Sequence, residues 1–344
     1  MEVNYNRNLH RFTVITAVCT FCLVIAGGLV TSTGSGLAVP DWPLSYGKLM
    51  PPMVGGILYE HSHRMVATFV GMLAILLAVW LWKNERRRWL RILGLVALGT
   101  VITQGLLGGL TVHLLLPTSI SVGHAALAQT FFCIIVSIAF FTSRWWIDDY
   151  RLIGPGDDGH PLLSLCLVTT LVVYVQLILG AVMRHTHSGL AVPDFPLSYG
   201  QLIPSLSPES IASYNEQLMR SDLRLAADPS ITWTQIVIHM MHRFWAVVVG
   251  VMVIWTAIKL HKLSILSKRF AFFSYVQIGL LIVQISLGAW SVISRKSVEV
   301  TTAHVATGAL LLGSCVLVLL HVVRLRGMTV PKFSFSLVEK EAIV

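Results

Sequence analysis

SGLAVPDWPLSYG, residues 35–47, returns as SGLAVPDFPLSYG at residues 188–200, so twelve of thirteen letters recur at an offset of 153. The repetition extends beyond this stretch. Gln104-Gly-Leu-Leu-Gly108 matches Gln284-Ile-Ser-Leu-Gly288, and Gly123-His124-Ala125 matches Ala303-His304-Val305, both at an offset of 180. His63-Arg64 matches His242-Arg243 at 179, which places about 26 extra residues (179 − 153) between 201 and 232. Self-similarity on this scale reads as a duplicated architectural unit.

The unit belongs in a membrane. The 344 residues are 55% hydrophobic and only 12% charged, with mean hydropathy +0.74. Apolar runs near 12–32, 62–82, 92–112, 121–142, 163–183, 236–258, 270–291 and 301–323 each reach the length of about 20 residues that a helix needs to cross roughly 30 Å of hydrocarbon. The expected fold is an all-α membrane protein: eight transmembrane helices as two tandem parallel-repeat four-helix bundles. Residues 1–142 form the N-terminal bundle and 143–162 a linker on the inside; 163–325 form the C-terminal bundle with its outer loop 201–232, and 326–344 an inside tail. The extra residues of 201–232 fit an extramembrane loop or a short surface helix.

Charge gives the orientation. Lys83, Arg86, Arg87, Arg88 and Arg91 follow the second span, Arg144 and Arg151 the fourth, Lys259, Lys262, Lys268 and Arg269 the sixth, and Arg324 and Arg326 the eighth. By the positive-inside rule these segments face the cytoplasm or its equivalent, with both termini inside. The net charge of +9 therefore reports topology, and nucleic-acid binding is excluded because no soluble basic face is present. Cys19, Cys22, Cys133, Cys166 and Cys315 all fall in predicted spans and read as small core residues. Residues 1–11 are too short and polar for a cleaved leader, so the first span is expected to direct insertion.

Thirteen histidines occur in the chain, yet His63, His124, His242 and His304 alone are repeat-paired within predicted spans. All four are expected in the first turns of helices that begin on the outer side. Two neutral imidazoles facing each other in a four-helix core suit the axial positions of heme iron. Zinc fits less well, because no cysteine cluster or further ligand completes a tetrahedral set. Arg64 and Arg243 follow two of these histidines, where a cation could pair with a heme propionate or snorkel to the interface. His61, His113, His185 and His187 have no repeat partners and read as interface or loop residues.

The halves differ at one informative position. Glu60 precedes His63 by three residues and shares its helix face, whereas His239 precedes His242 by three. A membrane carboxylate is costly without a purpose, so the half with Glu60 is expected to do acid–base or charge-stabilising chemistry and the other half to transfer electrons.

The set Glu60-His61-Ser62-His63-Arg64, His124, Met241-His242-Arg243 and His304, with the Gly-x-x-x-Pro-Asp-x-Pro loop, resembles the heme A synthase family of cytochrome oxidase assembly enzymes. The resemblance covers essentially the whole eight-span region. It implies a membrane oxidoreductase that converts the C8 methyl of heme O to the formyl of heme A by successive oxidations with water-derived oxygen. On that resemblance His63 and His124 flank the substrate heme, Glu60 is the catalytic carboxylate, and heme b sits between His242 and His304. Some members carry an outer-loop cysteine pair; residues 33–60 and 184–235 contain no cysteine, so no thiol role carries over.

Heme O is then the substrate, heme O synthase and oxidase assembly factors are the expected partners, and the electron acceptor stays open. Small-residue helix faces could pair copies into a homo-oligomer. The expected location is the bacterial plasma membrane, with the mitochondrial inner membrane as the alternative. A non-enzymatic di-heme b electron carrier is the competing reading, since bis-histidine ligation serves it equally well. A transporter would call for midspan charges and broken helices. A prenyltransferase would call for a repeated Asp-rich pattern, which the pairs Asp148-Asp149 and Asp157-Asp158 do not form.

Overall fold

Hydrocarbon offers backbone N–H and C=O groups no partner, so apolar stretches of this length satisfy them internally by winding into helices. The computed structural model describes residues 5–147, 159–220, 230–265 and 268–325. Eight long helices carry the eight expected spans: α1 (Arg7–Ser32), α2 (Gly55–Asn84), α3 (Arg88–His113), α4 (Thr118–Phe141), α6 (Gly159–His185), α8 (Trp233–Lys262), α9 (Lys268–Ile293) and α10 (Val298–Leu325). Two shorter helices, α5 (Arg144–Ile147) and α7 (Pro208–Arg220), lie between them. The prolines of α6 and α7, Pro161 and Pro208, fall in first turns, where a missing N–H costs nothing. Asn6 caps α1 by accepting from Asn8 N and Leu9 N, each at 3.1 Å, and Thr232 with Gln235 forms a capping box on α8.

Helices α1 to α4 pack around one square, each against its chain neighbours and α1 against α4; α6, α8, α9 and α10 form a second. The squares meet where α1 and α4 face α6 and α10. Small residues permit that approach: Gly28 of α1 faces Val305 of α10, and the ring of Phe132 rests on Gly313. The Tyr174 hydroxyl ties α6 to α4 through the Thr130 hydroxyl at 2.8 Å and by donating to Ala126 O at 3.1 Å. Outward faces are apolar, with Val14, Ile15 and Val18 on α1 and Val247, Val251 and Ile254 on α8 exposed. This is a multi-pass membrane protein.

At one end the start of α1 meets the end of α4 (His10 Nδ1 to Thr142 Oγ1, 3.3 Å), and Arg87 donates to Phe141 O at 2.9 Å. The basic turns gather at that end. The repeated loops occupy the other, where Gln235 donates to Thr186 O and Thr301 to Ser32 Oγ. The turns after α3 and α9 have the same backbone, with φ of 57° and 60° at Leu115 and Leu116 and 54° and 62° at Arg295 and Lys296.

Three expectations need qualification. Cys22 is exposed on the helix surface, so it is not a core residue, whereas Cys166 and Cys315 are buried. Most of the expected linker, 148–158, the loop residues 221–229 and the tail 326–344 lie outside the described residues. The extra outer segment holds α7, a surface helix of thirteen residues.

Helix α10 is central, and Leu312 on it is fully buried while Leu310 is exposed. Leu312→Ala should cost about 2–5 kcal/mol through the cavity it leaves. A lowered thermal midpoint in detergent for Leu312→Ala, with Leu310→Ala unchanged, is the expected result.

Candidate functional site

A side chain on the facing helix competes with an imidazole for the same space, so a glycine opposite the ring gives it room. Each of the four repeat-paired histidines meets a glycine. A Cβ placed on Gly27 of α1 would lie 3.2 Å from His63 Cε1, on Gly108 of α3 3.3 Å from His124 Cε1, on Gly180 of α6 3.1 Å from His242 Cε1, and on Gly288 of α9 3.1 Å from His304 Cε1. Gly27 and Gly180 stand 153 apart, Gly108 and Gly288 180 apart. Within each half the two imidazoles are close enough to interact electrostatically, His63 with His124 and His242 with His304.

Three rings carry an amide neighbour. Gln104 Nε2 lies 3.3 Å from His124 Nε2 and donates to His124 O at 3.0 Å; Gln176 Nε2 does the same for His242 at 3.3 and 3.1 Å; Gln284 Nε2 lies 3.4 Å from His304 Nε2. An amide nitrogen only donates, so the facing Nε2 offers its lone pair, the form that ligates iron. Nδ1 of all four histidines is buried without a partner. Glycine cradles, paired imidazoles and a ring nitrogen with a lone pair fit the ligand set that an iron macrocycle would take in each half.

The rings sit deeper than the sequence suggested. His124 and His304 are the seventh residues of α4 and α10, His63 the ninth of α2 and His242 the tenth of α8, so they lie roughly 9–14 Å beyond the helix starts at 1.5 Å per residue. The first turns are occupied by contacts to the loops.

Those contacts explain why one chain carries SGLAVPDxPLSYG twice. Arg64 makes four hydrogen bonds, NH1 to Asp41 O (2.6 Å) and Leu44 O (2.9 Å), NH2 to Val39 O (3.1 Å) and Glu60 Oε1 (2.6 Å). Arg243 also makes four, NH1 to Leu197 O (3.0 Å), NH2 to Val192 O (3.0 Å) and Asp194 O (2.7 Å), and Nε to His239 Nε2 (3.0 Å). The guanidinium fork thus ties helix to loop by loop carbonyls that recur at the same offset. Within each loop the aspartate accepts from the two N–H groups that close the turn: Asp41 from Tyr46 and Gly47, Asp194 from Tyr199 and Gly200. Tyr46 OH donates to Ala38 O and Tyr199 OH to Ala191 O. Tyr46, Gly47, Tyr199 and Gly200 all have φ between 54° and 75°, which glycine adopts without penalty. Four of the five donors of each arginine are thus committed to the loop and to Glu60 or His239.

Glu60 and His239, the residues singled out for their difference, do the same structural work. Glu60 Oε2 accepts from Val39 N at 2.8 Å and pairs with Arg64; His239 stands at the matching place, with Nδ1 3.3 Å from Val192 N and Nε2 3.0 Å from Arg243 Nε, and a neutral imidazole accepts at only one of these nitrogens. Both are buried. His61 is buried too, with Nδ1 2.8 Å from Ser45 Oγ, and the corresponding Ser198 hydroxyl donates to Met240 Sδ. His61 is therefore part of the clamp and not a surface residue; His113 and His187 are exposed and His185 half-buried. Two real asymmetries went unnoticed in sequence. Leu23 stands where Gln176 stands in the other half, so His63 lacks an amide neighbour. Helix α7 covers the second loop, with Tyr214 stacked on Tyr199 at 3.7 Å between centroids, while Tyr46 of the first loop is 51% exposed.

The sequence matches the COX15-CtaA family, described as cytochrome oxidase assembly protein, over residues 10–56 and 53–316. This chain belongs to the heme A synthase family. A heme A synthase of Shouchella clausii is 32% identical over 213 residues, 60% of this chain and 69% of that protein. One from Alkalihalophilus pseudofirmus is 29% identical over 236 residues, 67% and 77%, and one from Lysinibacillus sphaericus 26% over 321 residues, 90% and 94%. Membership of the heme A synthase family agrees with paired imidazoles in an apolar bundle.

Two outcomes follow from this geometry. Gly180→Val should push the His242 ring off its seat at a cost of about 1–3 kcal/mol, seen as a lowered thermal midpoint in detergent relative to the unsubstituted chain. Separately, the Gly47 and Tyr46 N–H groups hold the Asp41 carboxyl below its ordinary range. Its contribution to the loop is complete above the unfolded value near 3.8 and is lost as pH falls through the lower folded value. Limited proteolysis at the first loop should therefore stay slow down to about pH 4, and Asp41→Asn should be cut readily at neutral pH.

Proposed function

We propose that this chain oxidises the C8 methyl of heme O to the formyl of heme A, and that four imidazoles seated on glycines in two pairs are the observation that carries the reading. The conversion takes R–CH3 and water to R–CHO, with four electrons and four protons leaving the substrate; two hydroxylations with water-derived oxygen give a geminal diol that loses water. Residues 1–142 are the substrate bundle, with His63 and His124 flanking heme O and its product. Residues 163–325 are the electron-transfer bundle, with His242 and His304 holding heme b. When bound, that heme supplies one-electron redox chemistry.

The cover over the second half supports this division. A substrate heme has to enter and leave, and the first loop is open where α7 closes the second. His63, with Leu23 instead of a glutamine beside it, has the less fixed ring, which suits a ligand to an exchanging group. Glu60, ion-paired with Arg64, stands about one turn from His63, where a carboxylate can stabilise positive charge developing on the substrate. His239 performs the same loop contacts without charge.

The location proposed is the bacterial plasma membrane with the basic turns and both termini inside. Heme O synthase is the proposed donor of substrate and oxidase assembly factors the proposed recipients of product.

Because His239 maintains the clamp as an imidazole, Glu60→His separates clamp from charge. In cells supplied with heme O, Glu60→His should fold and keep both heme spectra while hydroxylated and formyl hemes, measured by mass, fall by at least about a hundredfold, the scale of a lost electrostatic stabiliser. Undiminished formyl heme would assign Glu60 to the loop alone. Wild-type protein that is heme-loaded and yields neither oxidised product would favour the electron-carrier reading.

A further inference from the structure

The clamp commits four of the five donors of Arg64 and of Arg243, and two other cations stand at the outer end of the second half. Arg184, at the outer end of α6, is half-buried between the halves, where NH2 donates to Gly28 O at 2.9 Å and to Ser32 Oγ at 2.5 Å. Thr301 and Thr302, at the head of the helix that carries His304, contact the same Ser32 hydroxyl. Lys296, in the turn between α9 and α10, lays its stem on Gly189, whose Cβ would lie 3.3 Å from Lys296 Cδ. Lys296 immediately precedes the head of α10, whose Thr301 and Thr302 share the Ser32 hydroxyl with Arg184; partial desolvation and then the charge of Arg184 hold its ammonium below the ordinary lysine range. Among the described residues the ion pairs are Glu60–Arg64, Glu85–Arg87 and Glu216–Arg220; neither Arg184 nor Lys296 has a carboxylate.

The same backbone in the first half is uncharged. Thirty-one plus 153 gives 184, and Thr31 occupies that position; 116 plus 180 gives 296, and Leu116 packs on Gly36 at 3.3 Å as Lys296 packs on Gly189. Two like charges held together at a membrane edge repel each other and lose hydration, a cost that a dianionic or carboxylate ligand would offset. We propose that Arg184 and Lys296 are the carboxylate anchor for the macrocycle held between His242 and His304, a site the first half does not have. The inference rests on the reading that this pair of histidines holds a heme. It gives the second half a fixed, doubly anchored heme and leaves the first half without that anchor, as retention and exchange respectively require.

The test titrates heme-free protein with protoheme and with its dimethyl ester, and measures the midpoint potential of the second-half heme. Wild type should bind the free acid about tenfold or more tightly than the diester, the scale of charge-assisted hydrogen bonds. Lys296→Met, which removes no helix contact between the halves, should narrow the difference and shift the potential to more negative values. Arg184→Gln with Lys296→Met should abolish the difference, and Arg184→Lys should restore part of it. An acid–ester difference and a potential that persist in the double variant overturn the proposal. So does a double variant that loses only a copurifying anionic phospholipid, which would assign the cations to a headgroup phosphate. His242→Ala reports on the parent reading separately: if it leaves the heme spectrum unaltered, the histidine pair does not hold a heme, whatever the cations do.

Discussion

Each of the four repeat-paired imidazoles is seated where the neighbouring helix gives up its side chain, and the arrangement of the site follows from that steric condition. Gly27, Gly108, Gly180 and Gly288 each make the concession on the helix next to one that carries a histidine. The helices keep close-packed walls around them, as the buried Leu81, Ile135, Val253 and Leu312 indicate. Placing the rings two to three turns inside the helices leaves the first turns free to hold loops.

The loops are held by hydrogen-bond geometry more than by charge. Arg64 and Arg243 spread their donors over loop carbonyls, and Glu60 or His239 stands between the arginine and a valine N–H of the loop. A carboxylate accepts from both of those donors, whereas a neutral imidazole accepts from one. The two halves thus keep one clamp geometry with different charge and different acceptor capacity at that position. The half that keeps the carboxylate is free to use it, and the half that lacks it is sealed by α7 and bordered by Arg184 and Lys296.

The comparison of halves was also where sequence reading misjudged weight. Glu60 against His239 stood out as a chemical difference, yet both occupy one structural role, and the contrast is in charge and acceptor capacity. Differences that looked silent, Leu23 against Gln176, Thr31 against Arg184 and Leu116 against Lys296, surround the histidines. The Gln-x-x-x-Gly spacing of Gln104–Gly108 and Gln284–Gly288 was visible and recurs as Gln176–Gly180, so the glycine cradle had a legible signal; its meaning required knowing which helix lay opposite.

By itself the sequence determined the membrane-spanning helices, because apolar length and the cost of unpaired backbone in hydrocarbon are local properties, and it determined the four histidines, because duplication filters thirteen to four. It also carried the family resemblance through short motifs spread from Glu60 to His304. Only the tertiary structure decided what Arg64 and Arg243 contact, that Glu60 and His239 occupy the same place in the clamp, that α7 covers one loop and not the other, and which cations stay without a carboxylate among the described residues. Those facts depend on carbonyls and side chains brought together from segments 20 to 270 residues apart, and no local preference of the chain encodes which of them will meet.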